Sequence, residues 1–177
     1  MGKVITVFGS SMPRPGEEEY EAAYQLGEIL GENGFSVCTG GYQGIMDAVS
    51  KGVVEKGQEA IGITVNIFGA KVSEHLTKNV ECNSLFERIE KLISYGDAFI
   101  ILRGGTGTLL ELSVLWEMIN KNLLNEKLVA CHGEMWEPIL NTVDERMRFE
   151  GRKHGMIFHS NKIEECAEYI ISKQASF

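Results

Sequence analysis

A loop rich in glycine and threonine carries the strongest chemical signal in the sequence. The apolar run Ala98–Leu102 predicts a buried strand, and Thr108–Lys121 carries the spacing of a helix. The residues that join them are Arg103, Gly104, Gly105, Thr106, Gly107 and Thr108. Glycines let the backbone turn sharply and approach a ligand closely, and the free N–H groups of a first helical turn attract an anion. We therefore predict that this loop binds a phosphate.

Two simpler interpretations of the same loop remain open at this stage. It could be an ordinary glycine-rich turn, since it is neither a Walker A motif nor a dinucleotide fingerprint, which belongs after the first strand. Glu111 lies about one turn into the helix, where it could face a ligand. It could equally be the acid of a capping box whose N-cap is Thr108, because the spacing fits both roles.

Two more glycine clusters end earlier predicted strands. The first is Gly9, Ser10 and Ser11, and the second contains Gly40, Gly41 and Gly44. Both offer backbone N–H groups, and the first adds hydroxyl groups. Three such clusters at one edge of a sheet would form a cleft the size of a nucleotide, so we predict that all three bind the same ligand.

The elements that must position these loops alternate between strand and helix along the whole chain. This pattern predicts an α/β protein, a Rossmann-like three-layer sandwich with a mostly parallel sheet of about six or seven strands, in a single domain over residues 1–177. Ligands of such sheets bind at the carboxyl ends of the strands. The predicted strands are Val4–Phe8, Phe35–Thr39, Ala60–Thr64, Asn79–Cys82, Ala98–Leu102, Leu128–His132 and an edge strand near Met156–Phe158. The predicted helices are Glu17–Glu32, Gly44–Lys56, Leu85–Ser94, Thr108–Lys121, Glu137–Glu150 and Lys162–Lys173, and Val65–Lys78 is expected to be a loop over one rim.

Composition narrows the class of partner. The net charge of −8 argues against a surface that binds nucleic acid, although a small phosphorylated ligand needs only a local cluster of donors. No stretch approaches the roughly 18–20 apolar residues of a membrane span. The four cysteines form no CxxC pair, so we expect neither a metal site nor a disulfide framework, and a cytoplasmic location.

With these motifs in place, the chain resembles the Lonely Guy family of cytokinin riboside 5′-monophosphate phosphoribohydrolases, also labelled lysine decarboxylase-like. The resemblance runs from the first strand to about Val129. Gly9-Ser10-Ser11 matches the family's Gly-Ser-Ser turn, and Gly40 to Met46 matches its Gly-Gly-rich turn followed by Gly-[Leu/Ile]-Met. The hallmark Pro-Gly-Gly-x-Gly-Thr-x-x-Glu matches Arg103 to Glu111 except at its first position.

The resemblance implies a reaction and a set of roles. Arg88 and Glu111 would be the catalytic pair that cleaves the N-glycosidic bond of a nucleoside 5′-monophosphate to give free base and ribose 5-phosphate, with no cofactor. The loop up to Thr108 would hold the 5′-phosphate. The family also implies a homodimer, which the apolar excess of Thr108–Lys121 favours independently.

Four departures from the family pattern leave a second function open. Arg103 replaces the hallmark proline, Phe86 and Ile89 replace a histidine and a lysine beside Arg88, and Val114 replaces a second glutamate. These changes resemble a divergent branch that includes molybdenum-cofactor carrier proteins. The alternative is therefore a non-catalytic protein that binds or carries a nucleotide or a phosphorylated pterin. No lysine lies in a setting that suggests a Schiff base with pyridoxal phosphate, so we do not expect a decarboxylase.

Overall fold

A seven-stranded parallel sheet organises the chain. The computed structural model describes residues 2–66, 69–124 and 127–174. The strands follow the order β4-β3-β2-β1-β5-β6-β7, and every neighbouring pair is parallel. They are β1 (Val4–Phe8), β2 (Ser36–Thr39), β3 (Ala60–Val65), β4 (Lys78–Cys82), β5 (Ala98–Ile101), β6 (Val129–His132) and β7 (Phe158–Ser160). The predicted fold class is confirmed.

Helices cover both faces of this sheet. They are α1 (Glu18–Glu32), α2 (Ile45–Glu55), α3 (Leu85–Tyr95), α4 (Thr106–Asn120), α5 (Trp136–Phe149) and α6 (Ile163–Gln174). Residues of α1, α2 and α6 share one core cluster, and residues of α3, α4 and α5 share the other. Within β5, Ile100 faces the first cluster while Phe99 and Ile101 face the second, which is the alternation that a strand with helices on both sides requires.

Close packing of α1 on α2 fixes the loops that follow β1 and β2. Glycines lie at the crossing: a Cβ atom on Gly27 would stand 2.4 Å from the Val49 carbonyl oxygen, and one on Gly52 would stand 2.4 Å from that of Tyr24. The two helix backbones therefore approach more closely than any side chain would permit.

Two boundaries differ from the sequence expectation in an instructive way. Helix α4 begins at Thr106 rather than Thr108, because Gly105 is its N-cap and no side chain caps it. Strand β7 lies two residues later than expected, because Phe158–Ser160 is the segment in register with β6. Among the described residues, no helix is long and apolar enough to cross a membrane.

Candidate functional site

The three glycine-rich loops meet at the carboxyl edge of the sheet. Backbone hydrogen bonds join them: the Ser10 N–H donates to the Arg103 carbonyl oxygen at 2.9 Å, and the Ile45 N–H donates to the Ser10 carbonyl oxygen at 2.9 Å. The turn after β1 thus lies between the turns after β2 and β5. The structure brings together the three segments that the sequence singled out.

These loops surround a cleft of about 610 Å³. Residues of the first and third loops line it, together with Arg88 and Glu111. Apolar side chains also line it, among them Met12, Met46, Leu85 and Ile89. Predicted ligand residues on its surface are Gly9, Ser10, Ser11, Gly40, Gly105, Thr106, Gly107 and Thr108.

The start of α4 is open toward this cleft. The first N–H groups of a helix have no partner within the helix, and no side chain caps α4. A Cβ atom on Gly105 or Gly107 would have no neighbour within 4 Å. Internal packing therefore does not require glycine at either position. Because neither residue has a side chain, there is room for a ligand against the backbone.

Three other predicted ligand residues shape the loops from outside the cleft. Gly44 has a φ of +70°, and a Cβ atom there would stand 2.5 Å from the Ser10 carbonyl oxygen. A Cβ atom on Gly104 would stand 2.1 Å from Thr108 Oγ1. Gly41 packs against the side chain of Thr64 and the backbone of β3. Their glycines are required by the protein's own packing.

Arg103, which replaces the hallmark proline, points away from the cleft. Its guanidinium lies 3.6 Å from a carboxylate oxygen of Glu19, and its side chain packs against Gly133. It lines an adjoining depression together with Arg14 and the start of α1. Only its backbone, through the bond from Ser10, supports the three-loop arrangement.

A buried ion pair forms the floor of the cleft. Arg88 Nη1 donates to Glu111 Oε1 at 3.3 Å, and both side chains are at least nine-tenths buried. Arg88 Nε also donates to the Ile63 carbonyl oxygen at 2.8 Å. A Cβ atom on Gly40 would lie 1.9 Å from Arg88 Nη2, so glycine at this position makes room for the guanidinium.

The start of α4 excludes one of the two roles left open for Glu111. Helix α4 begins before Thr108, so Thr108 is not its N-cap and no Thr108–Glu111 capping box forms. Instead the carboxyl group lines the cleft. Burial raises the pKa of Glu111 to about 7, and the adjacent Arg88 opposes that rise. A carboxyl group that titrates near neutral pH in a cleft is suited to proton transfer and to charge stabilisation.

The family assignment rests on most of the chain. The family described as SLOG cluster4 matches residues 2–165. The chain belongs to this family.

Relatives of this SLOG protein include enzymes. It is 26% identical to a cytokinin riboside 5′-monophosphate phosphoribohydrolase of Rhodococcoides fascians, over 80% of the chain and 74% of that enzyme. It is 30% identical to the enzyme of the same name, LOG, from Oryza sativa, over 80% of the chain and 60% of the rice protein. The resemblance inferred from the sequence is thereby confirmed.

Solved structures share the fold over almost their whole length. A molybdenum cofactor binding protein from Rippkaea orientalis superimposes with a TM-score of 0.77 at 22% identity, covering 98% of both chains. The molybdenum cofactor carrier protein of Chlamydomonas reinhardtii gives 0.77 at 17% identity, covering 99% of both chains. At these identities the likeness establishes the fold of the SLOG chain.

The family departures occupy different environments. Ile89 is buried in the cleft wall beside Arg88, so the missing lysine changes the cleft itself. Phe86 is 78% exposed, and Val114 packs against the core. Sequence reasoning overlooked Tyr42, which lines the cleft from within the second glycine cluster. Its position as an aromatic residue between the turn glycines Gly41 and Gly44 was the only signal of it in the sequence.

Proposed function

We propose that this chain is a phosphoribohydrolase that cleaves the N-glycosidic bond of a nucleoside 5′-monophosphate. The observation that carries the proposal is the buried pair of Arg88 and Glu111 in the floor of a cleft whose rim is the open N-terminus of α4. The relatives named as phosphoribohydrolases support the same reaction class.

The polar rim suits the 5′-phosphate. Backbone N–H groups of Thr106, Gly107 and Thr108 point along the helix axis, where the helix dipole also favours an anion. Ser10, Ser11 and Thr106, which carry hydroxyl groups, also line the cleft. Holding the phosphate there would use remote binding energy to position the glycosidic bond over Glu111.

The floor suits the chemistry at the sugar. As the bond from C1′ to the base nitrogen breaks, its electron pair leaves with the base and positive charge develops on the ribose ring, as in glycoside hydrolysis. The Glu111 carboxylate would offset this charge and accept a proton from the water that bonds to C1′. The departing base takes up one proton from solvent and Glu111 later returns its proton to solvent, so one water is consumed and free base and ribose 5-phosphate are released. Arg88 holds the carboxylate in place and favours its ionised form.

The test is incubation with a panel of nucleoside 5′-monophosphates and chromatography for free base. Glu111→Gln keeps the shape but removes the charge, so we expect a rate loss of about 10²–10³, the scale for removing one electrostatic group. Binding of the monophosphate should persist, because the phosphate is held elsewhere. Glu117→Gln on the same helix is the matched control, since Glu117 is exposed and paired with Lys121. A variant Glu111→Gln as active as the wild type would refute the assigned role.

A non-catalytic carrier of a phosphorylated pterin or nucleotide is the second candidate. The observation that favours it is Ile89, which puts an apolar wall where the phosphoribohydrolases have a lysine beside the arginine. Proteins of the same fold include molybdenum cofactor carriers. This function predicts no base release from any monophosphate, together with measurable affinity for the phosphorylated ligand by calorimetry.

A further inference from the structure

We propose that Tyr42 is a positioning residue for the hydrolysis, because its ring and hydroxyl group together fix the direction in which Arg88 faces Glu111. The inference rests on the proposed function and adds to it a residue outside the matched motifs.

The hydroxyl group of Tyr42 is anchored at the end of β3. It donates to the Val65 carbonyl oxygen at 2.7 Å and accepts from the Val65 N–H at 2.8 Å. Both bonds go to one residue, so they fix the position of the ring relative to the strand. The residue is buried, and it lines the candidate cleft.

The ring of Tyr42 in turn contacts Arg88. The central guanidinium carbon lies 5.8 Å from the ring centroid, within the range of a cation–π interaction. Arg88 is itself bonded to Ile63, two residues before Val65 on the same strand. Strand β3 therefore holds both the guanidinium and the aromatic ring beside it, while Gly40 leaves the space that the guanidinium needs.

The contacts of Tyr42 and Ile63 with Arg88 matter because the hydrogen bond between Arg88 and Glu111 is long. It is a single contact of 3.3 Å, rather than the two short parallel bonds of a bidentate pair. One such bond does not define the orientation of a planar guanidinium. Contacts with Ile63 and Tyr42 add constraint to its orientation, and we expect loss of the ring to let the guanidinium shift relative to the carboxylate.

The experiment measures the orientation of Arg88 through the titration of Glu111. Carboxyl carbon NMR of protein labelled at glutamate follows that titration, and the spectrum of Glu111→Gln assigns the signal. In Tyr42→Leu we expect the midpoint to rise by roughly one pH unit, because an opposite charge nearby lowers a carboxyl pKa by about 1–3 units and part of that effect is lost. Tyr42→Phe keeps the ring but loses both bonds to Val65, so we expect a smaller rise than in Tyr42→Leu.

Base release provides the second measurement. Tyr42→Leu should lower kcat about tenfold, the scale of a desolvated cation–π contact, with a much smaller change in KM because the phosphate binds elsewhere. Tyr20→Leu is the matched control. Tyr20 is equally buried and hydrogen-bonded, to Asp47, but packs in the core cluster on the other face of the sheet.

The outcomes separate this inference from the proposed function. An unchanged Glu111 midpoint in Tyr42→Leu, or an equal shift in Tyr20→Leu, would overturn the positioning role. Wild-type protein that releases no base would refute the hydrolysis, and the titration would still decide whether Tyr42 orients Arg88. Tyr42→Met, which also lacks the ring, replaces Tyr42→Leu if that variant does not fold.

Discussion

Gly107→Ala should stabilise the protein and weaken phosphate binding at the same time. Gly107 is the second residue of α4, its φ lies outside the left-handed region, and a Cβ atom there would meet nothing within 4 Å. Alanine is a better helix former than glycine by up to about 1 kcal/mol. For a chain of this length that corresponds to a rise in Tm of up to roughly 2–4 °C.

The same methyl group would occupy the space in which a phosphate approaches the backbone. Hydrogen bonds to a charged group contribute about 1.5–3 kcal/mol each, so losing one should weaken binding about 10- to 150-fold. The effect should be clear because Arg88, which is paired, is the only cation lining the cleft among the described residues. Little other charge is available to compensate.

The assay combines calorimetric titration with adenosine 5′-monophosphate and thermal unfolding. Ser113→Ala is the control: Ser113 is exposed on α4, and its hydroxyl group bonds only back to Leu109. It should raise Tm slightly through helix propensity and leave affinity unchanged. If Gly107→Ala raises Tm but binds the nucleotide as tightly as the wild type, the first turn of α4 does not hold the phosphate.

Three further predictions concern pH, packing and assembly. Burial raises the pKa of Glu111 from 4.5 to about 7 in the folded protein, so the unfolded chain ionises first and the free energy of unfolding of the wild type should fall relative to that of Glu111→Gln as pH rises from 4.5 to 7. Urea unfolding at several pH values measures this difference, and a difference that does not change with pH would contradict the prediction. Gly27→Ala should cost about 1–3 kcal/mol of unfolding free energy despite its better helix propensity, because its Cβ would collide with α2, and a stabilised variant in urea would contradict the close packing. We expect a homodimer whose interface includes Leu109 and Leu110, which are exposed on α4, so Leu109→Glu should be monomeric by light scattering. A wild type that is monomeric at micromolar concentration would refute the dimer.

The sequence predicted the fold well because its signals were redundant. Most strands are short and apolar, four of them (β1, β2, β5 and β6) are followed by glycine-containing turns, and the helices carry apolar stripes, so the boundaries agree within one or two residues. The start of α4 was missed because Thr108 is a good N-cap by type, whereas the structure uses Gly105 and leaves the first turn uncapped. Side-chain preference could not reveal a helix that begins at a glycine with no side-chain cap.

The site was predictable as loops but not as contacts. Parallel strands bring their carboxyl ends to one edge, so the meeting of the three glycine clusters followed from topology. The orientation of the Arg103 side chain did not follow from topology, because it depends on Glu19 and Gly133, which are far from Arg103 in sequence. Tyr42 was missed for the same reason, since its contacts with Val65 and Arg88 exist only after β3 and α3 have packed.

The placement of the departures bears on which of them could alter function. Arg103 contributes only its backbone to the three-loop arrangement, and a backbone carbonyl accepts from Ser10 whether its residue is arginine or proline. Phe86 lies at the surface, so that substitution leaves the pair of Arg88 and Glu111 untouched. Ile89 is different, because it adds a buried apolar side chain to the cleft that Arg88 and Glu111 also line. Burial outweighs Arg88 and raises the pKa of Glu111 to about 7, so we expect charge in this cleft, rather than the fold, to decide between proton transfer and passive binding.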